Sequence, residues 1–247
     1  MTKKDLAKEW FNEKKKGVLV YEDQKTVGEE IVRSFKDKIV VTLCAPPQWG
    51  KTGVSLYVSY KLSLQKTKHV FYLTGMSDKT WVEQTKERLL PSWKENVYHR
   101  NTLNRFMMRV MNLKMKKKDK NILLIIDECH IANRKEHILS EIMDGFGIQD
   151  ISGFKDKNIR ILQISATPSN ALVDAEELNE YHQKIIPIIH KNYVSFHSFM
   201  EKDKLKTPYS LSDFSQCEQF IQHFKRFPNH RYHFVRVSSK GPSGKAT

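Results

Sequence analysis

Residues 45 to 52 read Ala45-Pro46-Pro47-Gln48-Trp49-Gly50-Lys51-Thr52, directly after the apolar run Ile39-Val40-Val41-Thr42-Leu43-Cys44. A short run so rich in β-branched residues reads as a strand buried on both faces. The residues after it read as a turn into a helix that begins at Lys51. A loop that holds phosphates needs inward-facing backbone N–H groups, a lysine to reach the outer phosphates and a hydroxyl for Mg2+. Lys51 and Thr52 supply the last two, and Gly50 is in place. The N-terminal dipole of the following helix would add to the attraction for an anion. Ala45 stands where the usual first glycine would be, so the strict pattern is missed. Taken alone, the stretch also reads as an ordinary strand, turn and helix with a surface lysine.

A second segment narrows the choice. Asn121-Ile122-Leu123-Leu124-Ile125-Ile126 is another continuous apolar run, and Asp127-Glu128-Cys129-His130 follows it. Open α/β sheets bind ligands at the carboxyl ends of their strands, where Asp127 falls. An aspartate there can hold Mg2+, and an adjacent glutamate can act as general base on an attacking water. The plainer reading of such a pair is a helix cap with a solvated neighbour. A third run, ending at Ser165-Ala166-Thr167-Pro168, completes the set.

With these residues in hand, the sequence resembles superfamily 2 helicases of the DExH type. Asp127-Glu128-Cys129-His130 is similar to their motif II, Ser165-Ala166-Thr167-Pro168 to their motif III, and the loop with Lys51 and Thr52 to their motif I. The resemblance implies ATP and Mg2+ as cofactors. Pro47, Gln48, Trp49, Gly50, Lys51 and Thr52 would bind ATP, and Thr52 and Asp127 the metal. Glu128 and Lys51 would be catalytic, while His130, Ser165 and Thr167 would couple the nucleotide site to the nucleic acid. Gln24, after Tyr21-Glu22-Asp23, resembles the glutamine with which these enzymes read adenine, since an amide offers a donor and an acceptor side by side. Its other reading is an exposed residue at a helix start. Thr74-Gly75-Met76-Ser77 stands in place of a more usual Pro-Thr segment, a texture similar to helicases of large DNA viruses or phages.

In that family a strand after the phosphate-loop helix ends in a segment that grips the nucleic-acid backbone. Here Thr74 and Gly75 end the strand Val70-Phe71-Tyr72-Leu73. Gln84, and the stretch from Arg100 to Asn104, are further candidates by position, with an ordinary cap and turn as the alternative. The chain has 247 residues, 42 Lys+Arg against 28 Asp+Glu and a formal net charge of +14. That favours a polyanionic partner, DNA or RNA, bound with steep salt dependence. The cluster of Lys114, Lys116, Lys117, Lys118 and Lys120 reads as a solvated connection, as most charge runs do.

Cys44, Cys129 and Cys217 have no zinc or disulfide spacing, which suits a reducing compartment. No apolar signal core opens the chain and no stretch is apolar enough to span a membrane, so the expectation is an intracellular, soluble protein. Helical periodicity fits residues 5–15, 24–36, 51–65, 78–90, 101–114 and 134–144, and strands fit 38–44, 69–73, 96–99, 121–127 and 159–165. The expected fold is α/β, a doubly wound and mostly parallel sheet of RecA-like type. The expected divisions are an amphipathic helix over 1–17, an ATP-binding domain over 18–194, a linker and helix over 195–230, and the truncated start of a second RecA-like domain over 231–247.

Superfamily 2 motors hydrolyse ATP between two such domains, so a chain ending at Thr247 is expected to turn over near the basal rate unless a second domain acts in trans. Two other functions fit parts of the pattern. One is a nucleic-acid-binding module with a vestigial or partner-completed motor, against which the retained Lys51, Asp127 and Glu128 argue. The other is a different P-loop enzyme such as a nucleoside kinase, in which Ser165-Ala166-Thr167 would have no role.

Overall fold

Strand β1 (Val40–Cys44), the strand that enters the Lys51 loop, is buried at every residue, and so are the apolar runs beside it. The computed structural model describes residues 2–15, 20–74, 79–115, 121–127, 138–166, 180–188 and 214–225. Among these, β2 (His69–Thr74), β3 (Val97–His99), β4 (Ile122–Asp127), β5 (Ile159–Ser165) and β6 (His182–Ile185) join β1 in one sheet of order β3-β2-β4-β5-β1-β6. Every pairing is parallel.

Helices α1 (Lys3–Lys15), α2 (Glu22–Ser34), α3 (Lys51–Gln65) and α4 (Lys79–Arg88) lie on one face. Leu6, Ile31, Val54 and Val58 from this layer pack against Val41, Leu43, Leu123 and Ile125 of the sheet. Helices α5 (Leu103–Met115), α6 (Ile138–Phe146) and α7 (Ser152–Asp156) cover the other face. There Phe106, Ile142 and Phe154 meet Phe71, Leu124 and Ile161. The change of face follows the path of the chain. From β1 it travels outward to β2 and β3 under the first layer, then returns to β4 and β5 under the second, as a constant crossover hand demands when the direction reverses. The fold is thus a doubly wound α/β sheet.

The apolar strands appear within a residue or two of their expected positions, but β6 has no such run. His182-Gln183-Lys184-Ile185 becomes a strand by pairing with β1 at the sheet edge. Ser152–Asp156, where periodicity gives no helix, is a short helix, and Pro91–Asn96 forms a 3-10 turn that buries Trp93. The helix expected at 134–144 is described only as Ile138–Phe146. Residues 231–247, expected to start a second RecA-like domain, lie outside the described residues, as do Gly75, Glu128, His130, Thr167, Cys129 and Lys116 to Lys120.

The chain divides into two compact units, Met1–Tyr193 and Val194–Thr247. Helix α1 belongs to the first. Its Trp10 stacks on Tyr60 of α3 with ring centroids 4.0 Å apart, and its Glu9 accepts the Ser92 hydroxyl at 2.6 Å. In the second unit α8 (Phe214–Lys225) is amphipathic, with Ile221 exposed. Among the described residues no helix is long and apolar enough to cross a membrane.

One polar group interrupts the apolar sheet. The Thr42 hydroxyl donates to Gln163 Oε1 at 2.7 Å and lies 2.7 Å from His182 Nε2, so β5, β1 and β6 are tied by buried side chains. With the threonine proton given to Gln163, the imidazole Nε2 carries the hydrogen of the second bond. Replacing Thr42 with valine leaves a buried amide oxygen without its partner, a loss of roughly 1–3 kcal/mol. Thr42→Val is therefore expected to lower unfolding stability in a denaturant titration by about 2 kcal/mol. An unchanged midpoint would mean the network contributes nothing.

Candidate active site at the carboxyl edge of the sheet

Because all six strands run the same way, their carboxyl ends share one edge. Register aligns Cys44 with Ser165, Thr74 with Asp127, and Thr74 with His99, while Asp127 sits opposite Ile164. The residues picked out at the ends of β1, β2, β4 and β5 thus stand in one row. β5 separates the loop strand β1 from the Asp127 strand β4.

The loop leaves β1 through Ala45, whose N–H donates to the Ser165 carbonyl at 3.2 Å. Gln48 (φ 60°) and Gly50 (φ 99°) are left-handed, and the Trp49 N–H closes a turn on the Pro46 carbonyl. Left-handed residues in a turn bring backbone N–H groups to one side, the geometry of an anion nest. Gly50 is the N-cap of α3, so Lys51 and Thr52 open that helix. Among the described residues the N–H of Thr52 meets no acceptor. Lys51 Nζ donates to the carbonyls of Pro46 at 2.9 Å and Ala45 at 3.2 Å, which draws the ammonium across the loop. Pro47 and Gln48 are exposed, whereas Trp49 packs partly onto the core.

Gln24 is neither exposed nor at the surface of its helix. It is 6% exposed at the third position of α2, where its Oε1 accepts the Tyr21 N–H at 3.0 Å in a capping box. Its amide lies against the loop. A Cβ at Gly50 would run into Gln24 Nε2, and one at Gly53 into Gln24 Oε1, with Cδ only 2.7 Å away. Both glycines leave the room that this amide occupies, and at Gly50 the left-handed φ requires glycine as well. α2 is also tied to α3 farther along. Glu29 accepts from Lys61 Nζ at 2.8 Å and from the Tyr57 hydroxyl at 2.6 Å. Lys61, then Tyr57, hold its carboxyl below the usual range.

Beside the helix start is a cavity of about 110 Å³ that gathers Thr52 and Ser55 of α3, Asp127 of β4, and Trp81, Gln84 and Arg88 of α4. Trp81 Nε1 donates to Asp127 Oδ2 at 3.2 Å, which orients the carboxylate. Tyr72 lines the inner wall. Its hydroxyl pairs with Ser59 Oγ at 2.9 Å, and burial drives its phenol far above the ordinary value against the opposing pull of Ser59 and Ser55. The Tyr72 hydroxyl is therefore a neutral hydrogen-bonding group at any ordinary pH.

The structure brings together Gln24, Gly50, Lys51, Thr52, Asp127 and Gln84. Gln84, expected on the nucleic-acid track, lines the cavity that holds Thr52 and Asp127. Ser165 and Thr74 are fully buried at the strand ends. Arg100 stands apart, exposed in the 3-10 turn after the outermost strand β3. Sequence reasoning missed Trp81, Arg88 and Tyr72. The spacing of Trp81, Gln84, Thr85 and Arg88 along one helical face was the available signal.

No group of three or more His, Cys, Asp or Glu gathers as a metal cluster among the described residues. Mg2+ does not need one, because it keeps several waters and takes one or two protein ligands plus phosphate oxygens. A hydroxyl and a carboxylate on one cavity fit that demand. No family model and no curated protein matches the sequence. Similar solved structures include the DUF1998 helicase MrfA, at TM-score 0.44 and 14% identity over 86% of this chain and 40% of that one. Another is PCH-2 of C. elegans, at TM-score 0.43 and 12% identity over 90% and 54%. This chain thus spans about half or less of either structure, and the fold stands on its own strand order rather than on these likenesses.

Gly53→Ala tests the packing of the loop. Alanine in a helix ordinarily gains up to about 1 kcal/mol over glycine, but here the new methyl must displace the Gln24 amide. Gly53→Ala is expected to destabilise the native chain and to stabilise a Gln24→Ala chain. A double-mutant cycle by denaturant unfolding reads the coupling, and additive effects would show that Gln24 does not hold the loop.

Proposed function

We propose that the chain carries the first motor domain of an ATP-dependent nucleic-acid helicase or translocase of superfamily 2, binding Mg-ATP at the carboxyl edge of its sheet. The observation that supports this reading most is the meeting of Thr52, on the helix after β1, and Asp127, at the end of β4 two strands away, on one cavity beside a helix start led by Lys51. In this reading Lys51 offsets the charge that builds up on the transferring phosphoryl group. The Thr52 hydroxyl and Asp127 carboxylate hold Mg2+, which when bound neutralises the outer phosphate oxygens. Glu128, next in sequence to Asp127, takes the proton of the attacking water.

Ser165 suits a relay because β5 touches both the loop strand and the Asp127 strand. With His130 and Thr167 it would report the state of the nucleotide to the nucleic acid. Thr74, Gly75, Gln84 and Arg100 are the proposed contacts to DNA or RNA. With Thr74 buried, the backbone amides that follow it are the better phosphate donors. A second RecA-like domain, covalent or in trans, would close the cleft.

Three variants test the reading. Lys51→Ala is expected to weaken ATP binding about 10- to 100-fold, the worth of a charge-assisted hydrogen bond; unchanged affinity in a titration would reject the phosphate loop. Glu128→Gln should keep ATP affinity and lower nucleic-acid-stimulated hydrolysis by roughly 10² to 10⁴. Survival of turnover would remove Glu128 from the chemistry.

Trp81→Phe keeps an aromatic ring on the cavity but removes the Nε1–H that faces Asp127 together with the five-membered part of the indole. Affinity for Mg-ATP is expected to fall roughly fivefold, about 1 kcal/mol, while affinity measured without metal stays put. Equal losses with and without Mg2+ would mean that Trp81 shapes the cavity rather than the aspartate.

A further inference from the structure

At the opposite edge, where β1 and β5 begin, the turn after α2 and the turn after α7 come together because the two strands are neighbours. They enclose a cavity of about 160 Å³ with Phe35, Ile39 and Ile159 as its apolar lining. Four cations, Lys36, Lys38, Lys155 and Arg160, share it with one acid, Asp37, and the amide of Asn158. Asn158 takes a left-handed φ of 52°, which asparagine tolerates better than most residues, and its carbonyl accepts the Ile122 N–H at 3.0 Å.

Arg160 is the unusual member. It alternates on the strand with Ile159 and Ile161, so it shares its face with Leu162 and Ile164, both in the core. Its Nε donates to the Phe35 carbonyl at 3.0 Å, which fixes the plane of the guanidinium. Among the described residues neither terminal nitrogen has a partner and no carboxylate pairs with the group. Burial pulls its pKa down, a sign that the charge is poorly solvated where it sits. A half-buried cation without a counter-charge is costly unless an anion completes it. Lys36 and Lys155 are exposed and likewise without partners among the described residues, whereas Lys38 Nζ donates to the Glu180 carbonyl at 3.0 Å.

We infer that this cavity binds a phosphate group, at a site separate from the Lys51 loop and about 16 Å from it along β5, taking five residues at the usual strand rise. The planar fork of a guanidinium flanked by mobile ammonium groups matches a multiply charged tetrahedral oxyanion. The phosphate comes either from a nucleic-acid backbone or from a free phosphate-bearing anion. The inference does not rest on the proposed motor activity.

The test uses the full chain carrying Lys51→Ala, so that the other loop does not report. Inorganic pyrophosphate is titrated into this chain by calorimetry, then into versions that add Arg160→Gln or the pair Lys36→Ala and Lys155→Ala. Binding by the first chain and a loss of tenfold or more in both versions is expected. The lysine pair guards against misfolding of the arginine variant, since both side chains are exposed. Absent binding, or equal binding by all three, overturns the inference. A single-stranded oligonucleotide titrated into chains with Lys51 intact then identifies the source. A parallel loss on removing the two lysines, with a salt slope smaller by about one or two, assigns the site to nucleic-acid phosphate, and unchanged affinity assigns it to a free anion.

Discussion

Hydrogen bonding along β5 sets the distance between the two halves of the candidate active site. β5 pairs with β1 on one side and with β4 on the other, so the Lys51 loop and Asp127 are held two strand spacings apart, about 10 Å. Register sets the rest. Asp127 alternates with Leu123 and Ile125 on the face that carries α3, which is why it meets Thr52. A slip of one residue would turn Asp127 toward the other layer and place Ile126 over the cavity. The slip is prevented by the apolar side chains of β4, which fill two different cores on alternate residues.

Polar side chains inside the sheet sharpen that choice. Thr42, Gln163 and His182 satisfy one another only when β5, β1 and β6 stand at their observed depths. Tyr72 and Ser59 do the same between β2 and α3, since a phenol buried without a partner would be penalised by a few kcal/mol. The Ser59 hydroxyl also reaches the Ser55 carbonyl at 2.7 Å, and Ser55 reaches Thr52 at 2.8 Å. A run of short hydrogen bonds thus connects the sheet to the first turn of α3. The residue proposed to hold metal is placed by packing about two helical turns away from it.

What could be read from sequence divides along the same physical line. β1, β2, β4 and β5 are apolar on both faces, and that composition is their own signal. β6 carries none, because an edge strand is recruited by its neighbour, and Gln183 and Lys184 are only half-buried. The places of Lys51, Thr52 and Asp127 were legible, since the first two open the helix after β1 and the third closes the apolar run of β4. Trp81 was not, since its role depends on an indole nitrogen meeting a carboxylate from another element. Gln24 shows the same limit: its place at the helix start was plain, while its burial against Gly50 and Gly53 is a tertiary fact.

The departure of the loop from the strict glycine pattern also has a physical resolution. Ala45 occupies the first glycine position, yet its φ is not positive, its side chain is 2% exposed in the core, and its N–H continues the ladder to Ser165. A glycine there would gain no conformation that alanine lacks and would surrender a buried methyl, worth roughly 1 kcal/mol. The left-handed turns fall instead at Gln48 and Gly50. Gly50 bears the tighter constraint, with φ at 99° and the Gln24 amide where a Cβ would be, and it keeps its glycine. Gln48 is exposed, so its left-handed φ incurs about 1 kcal/mol of backbone strain and no clash. The pattern is missed at the one position where the backbone makes no demand for glycine, and the loop can keep its shape without it.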